Sequence, residues 1–144
     1  MIETELSNKK YVLGLFLDLK KAFDTVDINI LLYKLNYYGI RGPVLNWFES
    51  YLSNRKQFTY VNGMSSSCLN TNCGVPQGPV LGPLLFLIYI NDIALATNHG
   101  RISLFADDTN IFIMANDINA LFNLTNLIAV DIFKWTVAIS CLLI

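Results

Sequence analysis

Ile102-Ser103-Leu104-Phe105-Ala106-Asp107-Asp108-Thr109-Asn110-Ile111-Phe112-Ile113-Met114 is an apolar, β-branched stretch interrupted in its middle by two adjacent aspartates. Such a pattern predicts an antiparallel hairpin with two carboxylates at its tip. By itself, Asp-Asp in a turn is most simply solvated turn chemistry. Adjacent carboxylates emerging from a buried strand nevertheless repel each other unless something neutralises them, and a divalent cation does that well. Magnesium takes hard oxygen ligands and keeps several waters or phosphate oxygens, so one or two carboxylates from separate strands suffice for a site. The second contributor stands far upstream: Tyr11 to Leu19 is a short β-rich apolar run whose carboxyl end carries Asp18.

The flanking sequence supplies the rest of the expected framework. Asp27 is placed to cap a helix with Leu31, Leu32, Leu35 and Tyr38 on one face, ended by Gly39. Pro43 opens a second helix whose stripe of Val44, Trp47, Phe48, Tyr51 and Leu52 predicts core. Gln57 to Val61 predicts a strand, and Asn62-Gly63 a hairpin turn with a return strand over Ser65 to Asn72. A Gly- and Pro-punctuated loop, Gly74 to Pro79, leads to an apolar helix predicted from Gly82 or Pro83 to Ala96. Asp117 is placed to cap a last helix with Ile118, Leu121, Phe122, Thr125, Ile128, Ala129 and Ile132 on one face. Alternating strand-like and helix-like patterns predict α+β or α/β, and with no repeat or linker, residues 1–144 read as one domain.

Composition narrows the function classes. Apolar residues make up 53% of the 144 and charged residues only 15%, which excludes disorder. The mean hydropathy of +0.44 raises the question of a membrane. The longest apolar run, Pro79 to Ile90, is stopped by Asn91 and Asp92 well short of the roughly 20 residues of a spanning helix. No secretory leader pattern opens the chain, so an intracellular protein without membrane association is expected. Cys68, Cys73 and Cys141 lack the spacing and histidines of a zinc site and are expected to be reduced thiols. Residues 1–60 hold eight of the ten Lys/Arg, and the whole carries a net charge of −1. That balance argues against a self-sufficient nucleic-acid binder but not against an acidic metal site.

Three blocks in order carry a resemblance. Phe16-Leu17-Asp18-Leu19-Lys20-Lys21-Ala22-Phe23-Asp24-Thr25-Val26-Asp27, then Gly74-Val75-Pro76-Gln77-Gly78-Pro79-Val80-Leu81-Gly82-Pro83-Leu84-Leu85-Phe86, then Phe105-Ala106-Asp107-Asp108-Thr109 resemble successive motifs of the reverse transcriptase palm. The match is to the non-LTR (LINE-type) retrotransposon branch and runs from about Val12 to Trp135. It implies an α+β polymerase palm, a ferredoxin- or RRM-like antiparallel sheet with helices on one face. The implied activity is RNA-directed DNA polymerisation: two-metal transfer of a nucleotide from a dNTP to a primer 3′-hydroxyl on an RNA template.

Position by position, the resemblance makes Asp18, Asp107 and Asp108 the catalytic carboxylates, Asp18 and Asp107 as the metal-binding pair and Asp108 as their companion. With the backbone carbonyl of Leu19 they would hold two Mg²⁺ ions, or Mn²⁺ in their place. Phe23 matches the aromatic that crowds the sugar 2′ position, beside the alternative of plain core packing. Gln77 and Gly78 match a loop lying against the incoming nucleotide, beside the alternative of a turn and helix start. Asp24 and Asp27 are expected to cap or bond locally, Lys20 and Lys21 to be an exposed pair, and His99 to have no catalytic partner. Three departures stand out. Pro79 replaces the family's usual serine, removing a hydroxyl and an N–H. The tail from Thr136 to Ile144 is apolar where a polar turn and a thumb would follow, and little sequence precedes Val12 to form fingers.

The expected partners are therefore an RNA template, a DNA primer, dNTPs, and the fingers, thumb and endonuclease domain of a parent polyprotein. The family works in cytoplasmic ribonucleoprotein particles and at nuclear DNA. The competing expectation is a decayed or co-opted palm, at most a non-catalytic binding module. Either way, the apolar excess reads as surface meant to lie under missing parts.

Overall fold

The computed structural model describes residue 7 and residues 9–140. In chain order the elements are β1 (Tyr11–Leu17), α1 (Ile28–Tyr37), α2 (Pro43–Leu52), β2 (Arg55–Gln57), β3 (Tyr60–Val61), β4 (Met64–Ser65), β5 (Leu69–Thr71) and α3 (Leu81–Ile90). A 3₁₀ helix (Asn91–Leu95), β6 (Arg101–Phe105), β7 (Asp108–Ala115) and α4 (Ile118–Ala138) follow. Every strand ladder is antiparallel, so the class is α+β rather than α/β. Two compact units divide the chain: residues 1–22 with 90–144, and residues 23–89.

In the first unit, β7 is the centre strand of a sheet ordered β1-β7-β6. Its side chains alternate strictly, and Thr109, Ile111, Ile113 and Ala115 are buried. Leu13, Leu15 and Leu17 of β1 and Ile102 and Leu104 of β6 share that face by register and pack on the same core. Against it α4 buries Leu121, Ile128 and Ile132. Asp117 caps α4 as expected, its Oδ1 accepting the Ala120 N–H at 2.8 Å.

The predicted face of α4 is in part wrong. Ile118 and Phe122 are exposed, and the buried line runs instead through Leu121, Ile128, Ile132 and Thr136. Apolar residues occur nearly all round this helix, so periodicity alone does not fix which side meets the sheet.

In the second unit α1 packs on α2. Asp27 caps α1, with Oδ1 accepting from the Asn29 and Ile30 N–H groups at 2.8 and 3.0 Å. The helix ends in a Schellman motif: Gly39 donates to the Asn36 carbonyl and Ile40 to the Leu35 carbonyl. Leu31 and Leu35 are buried, but Tyr38 is exposed. The α2 stripe needs a similar correction. Leu52 alone of its residues is fully buried, whereas Val44 and Trp47 are exposed and the Trp47 ring stacks on Tyr51 at 5.3 Å.

Asn62 and Gly63 both have positive φ, as the expected hairpin turn requires. The hairpin is split, however: β3 pairs with β4 and β2 with β5 in registers one residue apart. The slip falls where Thr59 and Ser66 bond through the Ser66 hydroxyl and backbone. The apolar helix also stops earlier than predicted, because α3 gives way to the 3₁₀ helix at Asn91. Cys68 and Cys73 are free and exposed, while Cys141 and the rest of the tail beyond residue 140 lie outside the described residues. Among the described residues no helix is long and apolar enough to cross a membrane.

Candidate active site

The first unit has a second sheet face, and the carboxylates are on it. The β1–β7 ladder closes at Leu17 opposite Thr109, both turned to the core. One step further along each strand, Asp18 and Asp108 point the other way, on the face of Phe16, Asn110 and Phe105. These residues and Leu17 line one cleft of about 450 Å³. Phe16 and Phe105 flank it and are largely exposed, at 70% and 79%. The sequence placed both hairpin carboxylates at the tip, but they differ in position: Asp107 occupies the turn, whereas Asp108 opens β7 opposite Phe105.

The turn itself is unusual. Ala106 has φ of 53°, in the left-handed region, and Asp107 does not, which is the sign pattern of a type II′ turn with alanine where glycine is usual. Among the described residues no group of three or more His, Cys, Asp or Glu side chains is gathered closely enough to hold a metal. The pair Asp18 and Asp108, two hard oxygen donors on an open cleft, still fits magnesium, which needs only one or two carboxylates when water and phosphate complete its shell. Leu19 follows with its side chain buried.

The remaining expected site residues lie in the second unit and are built around a joint between two loops. The Gly74 N–H donates to the Val26 carbonyl at 2.7 Å and the Val75 N–H to the Phe23 carbonyl at 2.8 Å. Gly74 is required there: its φ is 82°, and a Cβ would sit 3.0 Å from the backbone of Phe23 and Asp24. The Phe23 ring packs on buried Phe86, with centroids 4.7 Å apart. Gln77 is exposed, and its Nε2 donates to Asp24 Oδ1 at 2.8 Å. Asp24 therefore reaches across 53 positions of sequence instead of bonding locally. Gly78 has φ of 102° with open space where a Cβ would be, so its backbone is free to meet a ligand.

Arg55 is the residue that sequence reasoning passed over. Its Nη2 donates to the Cys73 carbonyl at 3.0 Å and also to the Gly74 carbonyl, and its Nε to the Leu52 carbonyl at 3.1 Å. The guanidinium thus ties the end of α2 to the loop that carries Gln77. Its one available signal was a fork-shaped donor set just after a helix end, where carbonyls are unsatisfied. Phe16 and Asn110 were also missed as cleft residues, although a period of two from Asp18 and Asp108 finds both. Lys20 and Lys21 are exposed, as expected, and His99 is exposed as well.

Comparisons with known proteins agree on one family. The model of the family described as "Reverse transcriptase (RNA-dependent DNA polymerase)" matches residues 2–140. The chain is 35% identical over 123 residues to the RNA-directed DNA polymerase from mobile element jockey of Drosophila melanogaster, covering 80% of this chain and 13% of that protein. It is 35% identical over 111 residues to the probable RNA-directed DNA polymerase from transposon X-element of the same species, covering 74% and 12%. It is also 35% identical over 124 residues to the Pol polyprotein from type-1 retrotransposable element R1 of Bradysia coprophila, covering 81% and 12%. The chain therefore spans only about an eighth of the length of these relatives.

Proposed function

Because this chain belongs to the reverse transcriptase (RNA-dependent DNA polymerase) family, we propose that it is the palm segment of a non-LTR retrotransposon RNA-directed DNA polymerase. The observation that carries the reading is the presence of Asp18 and Asp108, from two different strands, on one open cleft. The antiparallel sheet β1-β7-β6 with α4 on its other face is the palm core in this reading.

By motif position Asp18 and Asp107 would hold the divalent cations, with Asp108, which lines the cleft with Asp18, as the companion carboxylate and the Leu19 carbonyl completing a shell. Bound Mg²⁺ would supply activation of the primer 3′-hydroxyl and stabilisation of the oxygen that leaves. The chain's own part is to position and to balance charge. The reaction forms a bond between the primer 3′-oxygen and the α-phosphorus of a dNTP and breaks the bond from that phosphorus to the β-phosphate. Pyrophosphate departs and the hydroxyl proton passes to solvent. Template pairing selects the base, so the segment needs no base-reading side chains. Phe23, Gln77 and Gly78 are assigned to the nucleotide from their motif positions, and the exposure of Gln77 and the open space at Gly78 support that role. Its partners are a template, a primer, dNTPs and the remainder of a larger polyprotein, since the relatives are about eight times as long.

Primer extension by the full-length chain carrying this segment tests the reading. Incorporation is expected to require Mg²⁺ or Mn²⁺ and to disappear in Asp107→Asn and Asp18→Asn. Undiminished incorporation in either variant overturns the carboxylate assignment, and no incorporation by the unaltered chain favours a decayed palm.

A further inference from the structure

We propose that Asp24 is a positioning residue that fixes the side-chain amide of Gln77 for the incoming nucleotide, an inference that rests on the polymerase reading. An ionised carboxylate can only accept hydrogen bonds, so the 2.8 Å contact between Gln77 Nε2 and Asp24 Oδ1 settles which end of the amide is turned inward. The Gln77 NH₂ is held by Asp24, and its carbonyl Oε1 faces away from that carboxylate. A glutamine on an exposed loop otherwise samples many rotamers, and ligand binding has to freeze one of them. Asp24 freezes it beforehand, which strengthens binding without adding a contact to the ligand.

The backbone makes the arrangement durable. Asp24 and Gln77 sit on the two loops joined by the Gly74 to Val26 and Val75 to Phe23 bonds, and Arg55 grips the carbonyls of Cys73 and Gly74 just upstream. A glycine at position 74 is what lets the loops approach this closely. Phe23, the residue before Asp24, is anchored on Phe86. The base of the contact is therefore rigid, while the contact itself stays exposed and able to meet substrate.

The test is steady-state primer extension by the full-length chain with Asp24→Ala, Asp24→Asn, Gln77→Ala and the double variant Asp24→Ala/Gln77→Ala. Asp24→Ala is expected to raise KM for dNTP about 3- to 10-fold, as for loss of one ordinary solvent-exposed hydrogen bond, with kcat changed by less than about 2-fold. Asp24→Asn keeps an acceptor and is expected to restore most of the lost affinity. In the Gln77→Ala background, removing the Asp24 carboxylate is expected to add nothing, because the two act as a unit. An unchanged KM in Asp24→Ala overturns the proposal, as does a further fall in kcat in the double variant, which marks a merely structural role. Absence of extension by the unaltered chain overturns the polymerase reading itself.

Discussion

Leu17 lies directly opposite Thr109 in the β1–β7 ladder. Side chains alternate along a strand, so this pair turns inward and the next pair, Asp18 and Asp108, turns to the open face. A slip of β1 by one residue would turn its faces over and send Asp18 to the core side, away from Asp108. The inward apolar sets of β1 and β7 are what prevent it: Leu13, Leu15, Ile111 and Ile113 all pack in the core of the first unit. The site's geometry is thus a consequence of hydrophobic alternation in two strands far apart in sequence.

If Asp18 and Asp108 form a cation site, Mg²⁺ stabilises the folded chain by mass action. At a concentration 100 times the dissociation constant the gain is about 2.7 kcal/mol. Thermal unfolding of the chain with and without Mg²⁺ measures it. Asp18→Asn and Asp108→Asn are each expected to abolish the shift without lowering the midpoint in the absence of the ion, since each removes one of two like charges. A shift that survives both substitutions places the cation elsewhere.

Thr109 is 1% exposed, and its hydroxyl is a buried group with no hydrogen-bond partner. An unsatisfied buried hydroxyl costs free energy that an apolar group of the same shape does not. Thr109→Val is therefore expected to stabilise the chain by about 1 kcal/mol, read from the midpoint of urea unfolding at unchanged slope. A loss of stability would mean that the hydroxyl has found a partner.

Gly82 is the second residue of α3, where glycine is ordinarily a poor choice and Gly→Ala gains up to about 1 kcal/mol. The opposite sign is expected here. A Cβ at this position would collide with the carbonyl of Pro76, a backbone atom that cannot swing away. Gly82→Ala should cost about 1–3 kcal/mol, the range for overpacking. Equal or higher stability in urea would show that the Pro76 loop can move aside.

The legible and illegible parts of the chain divide along physical lines. Asp27 and Asp117 could be assigned as caps because a short polar side chain ahead of a helix acts on its nearest N–H groups, and both do. The same locality made the Asn62-Gly63 turn readable. Asp18 and the Asp107-Asp108 pair could be related by their strands, although only register shows that Asp108, and not Asp107, lines the cleft with Asp18. Helix faces were harder. Trp47 and Phe122 occupy positions that a stripe pattern assigns to the core, yet both are more than half exposed: apolar residues occur nearly all round α4, and the apolar stripe of α2 is left largely uncovered among the described residues. The bonds from Asp24 to Gln77 and from Arg55 to Cys73 join residues far apart in the chain, and no local pattern encodes such pairs.

Arg55 supplies the last prediction. It satisfies a carbonyl at the end of α2 and two more in the loop that begins at Cys73, from a half-buried position. Hydrogen bonds to a charged group contribute about 1.5–3 kcal/mol where they are sheltered from water. Arg55→Ala is expected to destabilise the chain by about that amount and to speed proteolytic cutting within residues 73–79. Lysine keeps the charge but not the planar fork, so Arg55→Lys should recover less than half of the loss. Limited proteolysis with mass mapping, run beside urea unfolding, separates a local opening from a global one. Equal stability of all three proteins would show that the Gly74 joint with Phe23 and Val26 holds the loop without Arg55.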